Sequence, residues 1–137
     1  MKKCMNEILQ EANDAPDFKT RLEILSNYDH PALRTVLKYV YDPSLKFLLG
    51  SDPIEFNKNQ IGEAIPSILY HEARKLYLFV EGGNDNLTPK RRMQLFIQLL
   101  ENVDPGEAEL LLHVRNKKLP YSNIDKRTIK KAFPNLL

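Results

Sequence analysis

Residues 29–42 read DHPALRTVLKYVYD, and this stretch decides the fold class of the chain. Its apolar side chains recur at the spacing of an α-helix and form one stripe, which consists of Leu33, Val36, Leu37, Val40 and Tyr41. Asp29 stands two residues before Pro31, so we expect the aspartate to cap the helix and the proline to lie in its first turn. The stretch predicts an amphipathic helix with one face in a core.

The same helical period recurs on both sides of this stretch. Further helices are predicted at about residues 3–13, 18–28, 67–83, 90–103 and 105–114, with a short last helix that ends at Phe133. A turn of helix is also expected at residues 42–50. Because no run of alternating β-branched residues interrupts this pattern, we predict an all-α fold of about seven helices.

Cap residues mark several helix ends. Three segments are typical of helix starts: Thr88-Pro89, Asp104-Pro105 and the SNID run at 122–125. Glu107 stands three residues after Asp104 and is expected to close a capping box. Gly82 and Gly83 are expected to end the helix at 67–83, because glycine adopts a positive φ without strain.

Length and composition fit one globular domain over residues 1–137. The chain is 42% hydrophobic and 28% charged, and it is long enough to bury a core without disulfides. Residues 50–66 form an irregular connection with two prolines and two glycines, and long connections of this kind often carry function. A single cysteine, the lack of a long apolar run and the lack of a signal-peptide pattern favour a soluble cytoplasmic protein.

Basic charge is concentrated at the C-terminal end. Residues 111–137 carry seven Lys/Arg and one acid, a net charge of 7 − 1 = +6, whereas residues 1–110 carry 13 basic and 17 acidic groups, a net charge of −4. Lys126 and Lys130, and likewise Arg127 and Lys131, are four residues apart and form adjacent cationic rows on one helix. Such a surface attracts phosphates, although an ordinary solvated helix face has the same composition.

The candidate DNA-binding residues come from two parts of the chain. The set comprises Lys90, Arg91, Arg92, Arg115, Lys117, Lys118, Lys126, Arg127, Lys130 and Lys131. Residues 90–92 stand in the first turn of a helix, where the helix dipole disfavours positive charge, and this local cost suggests a use. The set contains no base-reading motif, so we expect phosphate contacts with little sequence preference.

No catalytic, metal or cofactor site emerges from the sequence. The YHEAR segment at 70–74 lacks the second histidine of a zinc metalloprotease, since Lys75 stands at that position. Cys4 has no histidine partner pattern, and the EGGN segment at 81–84 lacks the features of a phosphate-binding loop. The tyrosines at 39, 41, 70 and 77 could stack on bases, but their helical spacing favours the edge of a core.

The order of these segments resembles the N-terminal DNA-binding domain of ATP-dependent DNA ligases, especially the T-even phage type. The similar stretches are residues 5–14, 21–49 and 107–137. That resemblance implies an all-α domain that grips duplex DNA in the minor groove around a nick. It assigns the contacts to Arg115, Lys117, Lys118 and the helix over 126–131. No Lys-x-Asp-Gly stands in the chain, so ligase adenylation is excluded.

A second resemblance covers more of the chain. The segments VLKYVYDPSLKFLL (36–49), ARKLYLFVEGGN (73–84) and FIQLLENVDPGEAELLLHVRNKKLPY (96–121) resemble a small-protein family of tailed phages that infect cyanobacteria. This resemblance implies the host cytoplasm as the location and supplies no activity. We therefore expect a non-catalytic accessory protein that binds duplex or nicked DNA. The alternative is an interaction module that uses residues 50–66 and helix faces to bind a phage or host protein.

Overall fold

The computed structural model describes residues 3–59 and 66–137. These residues form seven α-helices: α1 (Met5–Asn13), α2 (Phe18–Asn27), α3 (Pro31–Tyr41), α4 (Pro66–Glu72), α5 (Pro89–Asn102), α6 (Pro105–Arg115) and α7 (Lys126–Ala132). A 3-10 helix, Ala73–Phe79, continues directly from α4. Within the described residues the only β-type pairing is one antiparallel bridge between Phe47 and Val80. The prediction of an all-α fold is confirmed.

Helices α3 and α6 lie at the centre of the fold. α3 packs against α4, the 3-10 helix and α6, and α6 packs against α1, α3 and α5. The apolar stripe predicted on α3 is buried: Leu33, Val36 and Leu37 have no exposed surface, and Val40 is nearly covered. Tyr41 lies at the edge of this stripe, and its hydroxyl donates to the Ile124 carbonyl at 3.2 Å. One apolar core therefore connects the helices on both sides of the irregular connection.

The start of α3 differs from the prediction by one residue. His30 is the cap, and its Nδ1 accepts a hydrogen bond from the Ala32 amide at 3.0 Å. Pro31 occupies the first helical position, which places the cap at residue 30 and leaves Asp29 outside the helix. The Asp29 carboxylate instead accepts two hydrogen bonds from the Arg34 guanidinium, each 2.6 Å long.

The helix predicted at 67–83 ends early, and the helical turn predicted at 42–50 is absent. Val80 is extended and forms the bridge with Phe47, so both segments leave the helical conformation. Two backbone hydrogen bonds of 2.8 Å hold the segments together, from Leu48 to Phe79 and from Glu81 to Lys46. These bonds join residues more than 30 positions apart, which local helical spacing does not reveal.

The two glycines after the bridge have different roles. Gly82 has a φ of 83°, a conformation that favours glycine, and space around its Cα is open. Gly83 is required for space, because a Cβ there would lie 1.7 Å from the Tyr77 carbonyl oxygen. Both glycines therefore shape the turn after Val80. The predicted role of these glycines as helix caps is wrong.

Three helix starts agree with the prediction. Thr88 caps α5 by accepting from the Arg91 amide at 3.1 Å, and Asp104 caps α6 by accepting from the Gly106 amide at 3.0 Å. Asp125 caps α7 by accepting from the Thr128 amide at 2.8 Å. These contacts fix where α5, α6 and α7 begin.

Glu107 does not form the predicted capping box. Its side chain has no exposed surface, and Oε2 accepts a hydrogen bond from the Met5 amide at 3.1 Å, so a residue of α6 caps the start of α1. Among the described residues Oε1 has no hydrogen-bond partner. Burial raises the pKa of Glu107 to about 7, although the Met5 hydrogen bond opposes this shift. The carboxyl thus lies in the contact between α1 and α6, where it caps α1 instead of α6.

The described part of the 50–66 connection is fastened to the helices, and residues 60–65 lie outside the described residues. The Asn57 amide donates to Glu101 Oε2 at 2.7 Å, and Asn59 Nδ2 donates to the Asn102 carbonyl at 3.1 Å. Lys58 pairs with Glu109 at 3.7 Å. Residues 57–59 therefore follow the surface formed by α5 and α6.

Substitutions at the two glycines should separate close packing from backbone conformation. We expect Gly83→Ala to lower the free energy of unfolding by about 1–3 kcal/mol, because the Tyr77 carbonyl must move. Gly82→Asn should cost less than about 1 kcal/mol, since asparagine tolerates a positive φ and nothing lies near. Urea denaturation of both variants measures this difference. Equal losses would contradict the steric role of Gly83.

Glu107 should make stability depend on pH. Its raised pKa means that the folded state binds a proton more tightly than the unfolded state, so this contribution is full below about pH 4.5 and is lost as pH rises through about 7. We expect Glu107→Gln, which keeps an acceptor for the Met5 amide, to lose less stability between pH 5 and pH 8 than the wild type. The difference should be on the order of 1–3 kcal/mol. Urea denaturation at both pH values measures it, and parallel pH dependence in both proteins would contradict the role of this carboxyl.

Candidate nucleic-acid interface

Helix α7 presents a basic face to solvent. Its inner side is apolar, since Ile129 is fully buried and Phe133, which follows the helix, is 5% exposed. The outer side carries four exposed cations, which together line one shallow groove: Lys126, Arg127, Lys130 and Lys131. We call these four residues the α7 basic face. The helical spacing of four that the sequence predicted thus places all four charges on one surface.

The cations of the α7 basic face have few internal partners. Within the described residues, none of the four forms a salt bridge or a side-chain hydrogen bond. The nearest acid in sequence, Asp125, is engaged as the α7 cap. Hydrogen bonds from Thr128 lower the pKa of Asp125, and the charge of Arg127 adds a smaller contribution. The face is therefore a cluster of positive charge available to an outside anion.

Arg127 contacts Phe18, a residue outside the predicted set of DNA-binding residues. Its guanidinium carbon lies 4.9 Å from the centroid of the Phe18 ring, at the start of α2, and α7 packs against α2. In the sequence, Phe18, Leu22 and Leu25 have the i, i+4, i+7 spacing of one helix face, which is typical of core packing and gives no sign of the contact with Arg127.

Three of the candidate basic residues are turned into the fold. Arg92 is 5% exposed, and its guanidinium donates to the carbonyls of Leu78, Asn84 and Leu87 at 3.0, 3.1 and 3.3 Å. Arg115 is 7% exposed and donates to the Asp52 carbonyl at 2.7 Å.

Lys117 is the third. Its ammonium donates to the carbonyls of Asp42 and Leu45, and desolvation lowers its pKa. Lys117 follows the C-cap of α6 and has a φ of 56°, the left-handed conformation that often ends a helix. Like Arg92 and Arg115, this side chain supplies donors to loop carbonyls, so we assign all three a structural role.

The remaining candidates are exposed but do not all lie together. Lys118 is exposed in the connection between α6 and α7, next to Lys117, whose pKa is also lowered by the charge of Lys126. Lys90 and Arg91 are exposed on α5, which packs against α6 and the 3-10 helix, whereas α7 packs against α2. The structure thus gathers four cations on the α7 basic face, leaves Lys118 in the connection before it, and places Lys90 and Arg91 on another element.

The other side chains considered from the sequence have structural surroundings. Cys4 is buried beside Glu107, and burial raises the pKa of its thiol. Tyr70 donates its hydroxyl to the Lys3 carbonyl at 2.9 Å, whereas Tyr77 is 47% exposed. Over residues 3–59 and 66–137 no group of three or more His, Cys, Asp or Glu is arranged to hold a metal ion. In the same ranges no helix is both long and apolar enough to cross a bilayer.

Comparison with known proteins identifies a family without an assigned activity. The model of a family of unknown function, DUF6433, matches residues 8–121, which cover most of the chain. No curated protein and no solved structure matches this chain. The matched residues include α2 to α6 and end before α7, so the α7 basic face lies beyond them.

Replacing Arg92 should test its structural role. We expect Arg92→Ala to lower the free energy of unfolding by about 2–4 kcal/mol, because three carbonyls lose a charged donor inside the fold. The adjacent Arg91→Ala is the matched control and should change stability by less than about 0.5 kcal/mol, since this side chain is exposed. Urea denaturation measures both variants. An Arg92→Ala protein as stable as the Arg91→Ala protein would contradict the structural role.

Proposed function

We propose that this chain, which belongs to the DUF6433 family of unknown function, is a non-catalytic accessory protein that binds duplex or nicked DNA through phosphate contacts. The observation that carries this proposal is the α7 basic face. Four exposed cations lie on two adjacent helical rows, and none of them forms a salt bridge among the described residues. Lys118, which is exposed in the connection between α6 and α7, is a further candidate contact.

Phosphates are the ligand that suits this surface. Successive residues on each row of the α7 basic face are about one helical turn apart, roughly 6 Å along the helix axis. Their long cationic side chains can therefore reach separate phosphates of a nucleic acid. Each lysine or arginine that neutralises a phosphate releases a condensed counterion, and this release drives binding. The mechanism requires no base contact, so we expect shape rather than sequence to select the site on DNA.

A duplex fits better than a single strand. Single-strand platforms combine basic grooves with exposed aromatic rings on which bases stack. Among the described residues the most exposed aromatic side chain, Tyr77, lies on the 3-10 helix. The ring beside α7, Phe18, is half-buried and is covered by the Arg127 guanidinium. The resemblance to the ligase DNA-binding domain favours the same ligand and stays a prediction. Because Arg115 and Lys117 are occupied within the fold, we place the contacts on the α7 basic face and Lys118.

We also propose that the protein acts without catalysis in the cytoplasm, which is that of the host cell if a phage encodes it. The absence of a Lys-x-Asp-Gly segment from the sequence supports a role other than ligation. The nearest biochemical class is a protein that marks or shields a DNA structure for other enzymes.

A protein partner is the second candidate function, and one observation favours it. Leu48 and Tyr77 are 41% and 47% exposed, and they stand close to the two sides of the Phe47–Val80 bridge. Large apolar side chains at the surface are typical of protein-binding patches when they lie together. This surface is separate from the α7 basic face in the chain, so substitutions distinguish the two functions.

The DNA proposal predicts a salt-dependent affinity. We expect the protein to bind a nicked duplex so that the logarithm of the association constant falls linearly with the logarithm of salt concentration. The slope should be about −2 to −4 if the α7 basic face supplies most contacts. A variant with glutamine at positions 126, 127, 130 and 131 should lose nearly all of this binding. Fluorescence anisotropy with a labelled duplex measures both quantities.

The matched control is the double variant Lys90→Gln with Arg91→Gln, which removes exposed charge from α5. It should lower affinity much less than the α7 variant, although it removes charge from the same protein. No detectable binding at low salt would contradict the DNA proposal, as would equal binding by the α7 variant. Loss of a protein partner after Leu48→Ser or Tyr77→Ser, with DNA binding absent, would favour the second function.

A further inference from the structure

Phe18 occupies an unusual place for a phenylalanine. It is the first residue of α2, it is half-buried, and it does not belong to the apolar core formed by the described residues. A large apolar ring at the rim of a fold gains little from core packing. Its close neighbour on the outer side is the guanidinium of Arg127, 4.9 Å from the ring centroid.

Contact with an aromatic ring restricts a guanidinium without using its hydrogen-bond donors. The ring attracts the cation through its electron-rich face, and the N–H groups of arginine lie in the guanidinium plane, so they stay free. Within the described residues no acceptor is bound to the Arg127 guanidinium. The other three cations of the α7 basic face are lysines, which present a point charge on a flexible stem.

We propose that Arg127 is the phosphate-selecting residue of the α7 basic face and that Phe18 is the residue that positions it. This inference rests on the proposed DNA-binding function. Arg127, held by the ring, receives one phosphodiester of the duplex through two N–H groups, while Lys126, Lys130 and Lys131 supply less directional attraction. A fixed guanidinium loses less side-chain entropy on binding than a free one, and this saving is what Phe18 contributes.

The rival interpretation is that the Phe18–Arg127 contact only helps to join α2 to α7. In that case its loss would lower stability and leave DNA affinity unchanged once the protein is folded. Charge-conserving variants separate the two roles, because they leave counterion release unchanged. A change in affinity at constant salt slope therefore reports positioning rather than charge.

The experiment compares Phe18→Leu, Arg127→Lys and their double variant on a nicked duplex, by anisotropy at several salt concentrations. Each single variant should weaken binding about two- to fivefold with an unchanged salt slope, as expected for the loss of one exposed cation–π contact. The double variant should bind no more weakly than the weaker single variant, because without the guanidinium of Arg127 there is no planar group left for Phe18 to position.

Two controls complete the test. Lys90→Arg, which exchanges one exposed cation for another outside the α7 basic face, should bind like the wild type. Phe18→Tyr, which keeps the ring, should restore most of the affinity that Phe18→Leu loses. Circular dichroism confirms that each variant is folded, and Arg127→Lys tests the proposal even if Phe18→Leu does not fold.

The outcomes separate this inference from the proposed function. Absence of salt-dependent binding by the wild type would overturn the DNA-binding function itself, and with it this inference. Normal wild-type binding with wild-type affinity in Arg127→Lys or in folded Phe18→Leu would overturn the inference alone. Additive losses in the double variant, or equal losses in Lys90→Arg and Arg127→Lys, would also overturn it.

Discussion

Backbone carbonyls in the connections between helices must find donors, and in this protein long basic side chains supply them. Five residues act in this way: Arg21 on the α1–α2 connection, Arg92 on the turn before α5, Arg115 on the 50–66 connection, Lys117 on the segment after α3, and Lys38 at the C-terminal end. A buried carbonyl without a partner costs free energy comparable to a lost hydrogen bond. The irregular segments therefore depend on these cations for their conformation.

This use of basic side chains changes the meaning of the charge in the C-terminal third. Arg115 and Lys117 contribute to the positive net charge of residues 111–137, but their charged groups donate hydrogen bonds to loop carbonyls. Helix α7 differs, because among the described residues none of its four cations donates to a backbone carbonyl. Its four cations keep their hydrogen-bonding capacity. We therefore associate phosphate binding with the α7 basic face, whose side-chain donors have no acceptor among the described residues.

The α1–α6 contact shows a second use of a charged group inside the fold. Glu107 satisfies the first amide of α1, and it thereby links residue 5 to residue 107 across almost the whole chain. Burial raises the pKa of this carboxyl to about 7, because the charged form loses its hydration and the Met5 amide only partly compensates for that loss. Tertiary packing thus gives several charged residues roles that differ from those predicted from local sequence patterns: Glu107, Arg92, Arg115 and Lys117.

The sequence by itself determined the helical class, the apolar stripe of α3, the starts of α5, α6 and α7, and the two cationic rows of α7. Each of these depends on residues within one or two helical turns, so their spacing reveals them. Only the tertiary structure decided that Arg92 and Arg115 face inward, that Val80 leaves the helix to pair with Phe47, and that Phe18 contacts Arg127. These contacts join residues 5 to 109 positions apart, and most of them join different elements of the fold. No local period encodes such a choice, because the energy of a buried donor depends on which acceptor the fold brings to it.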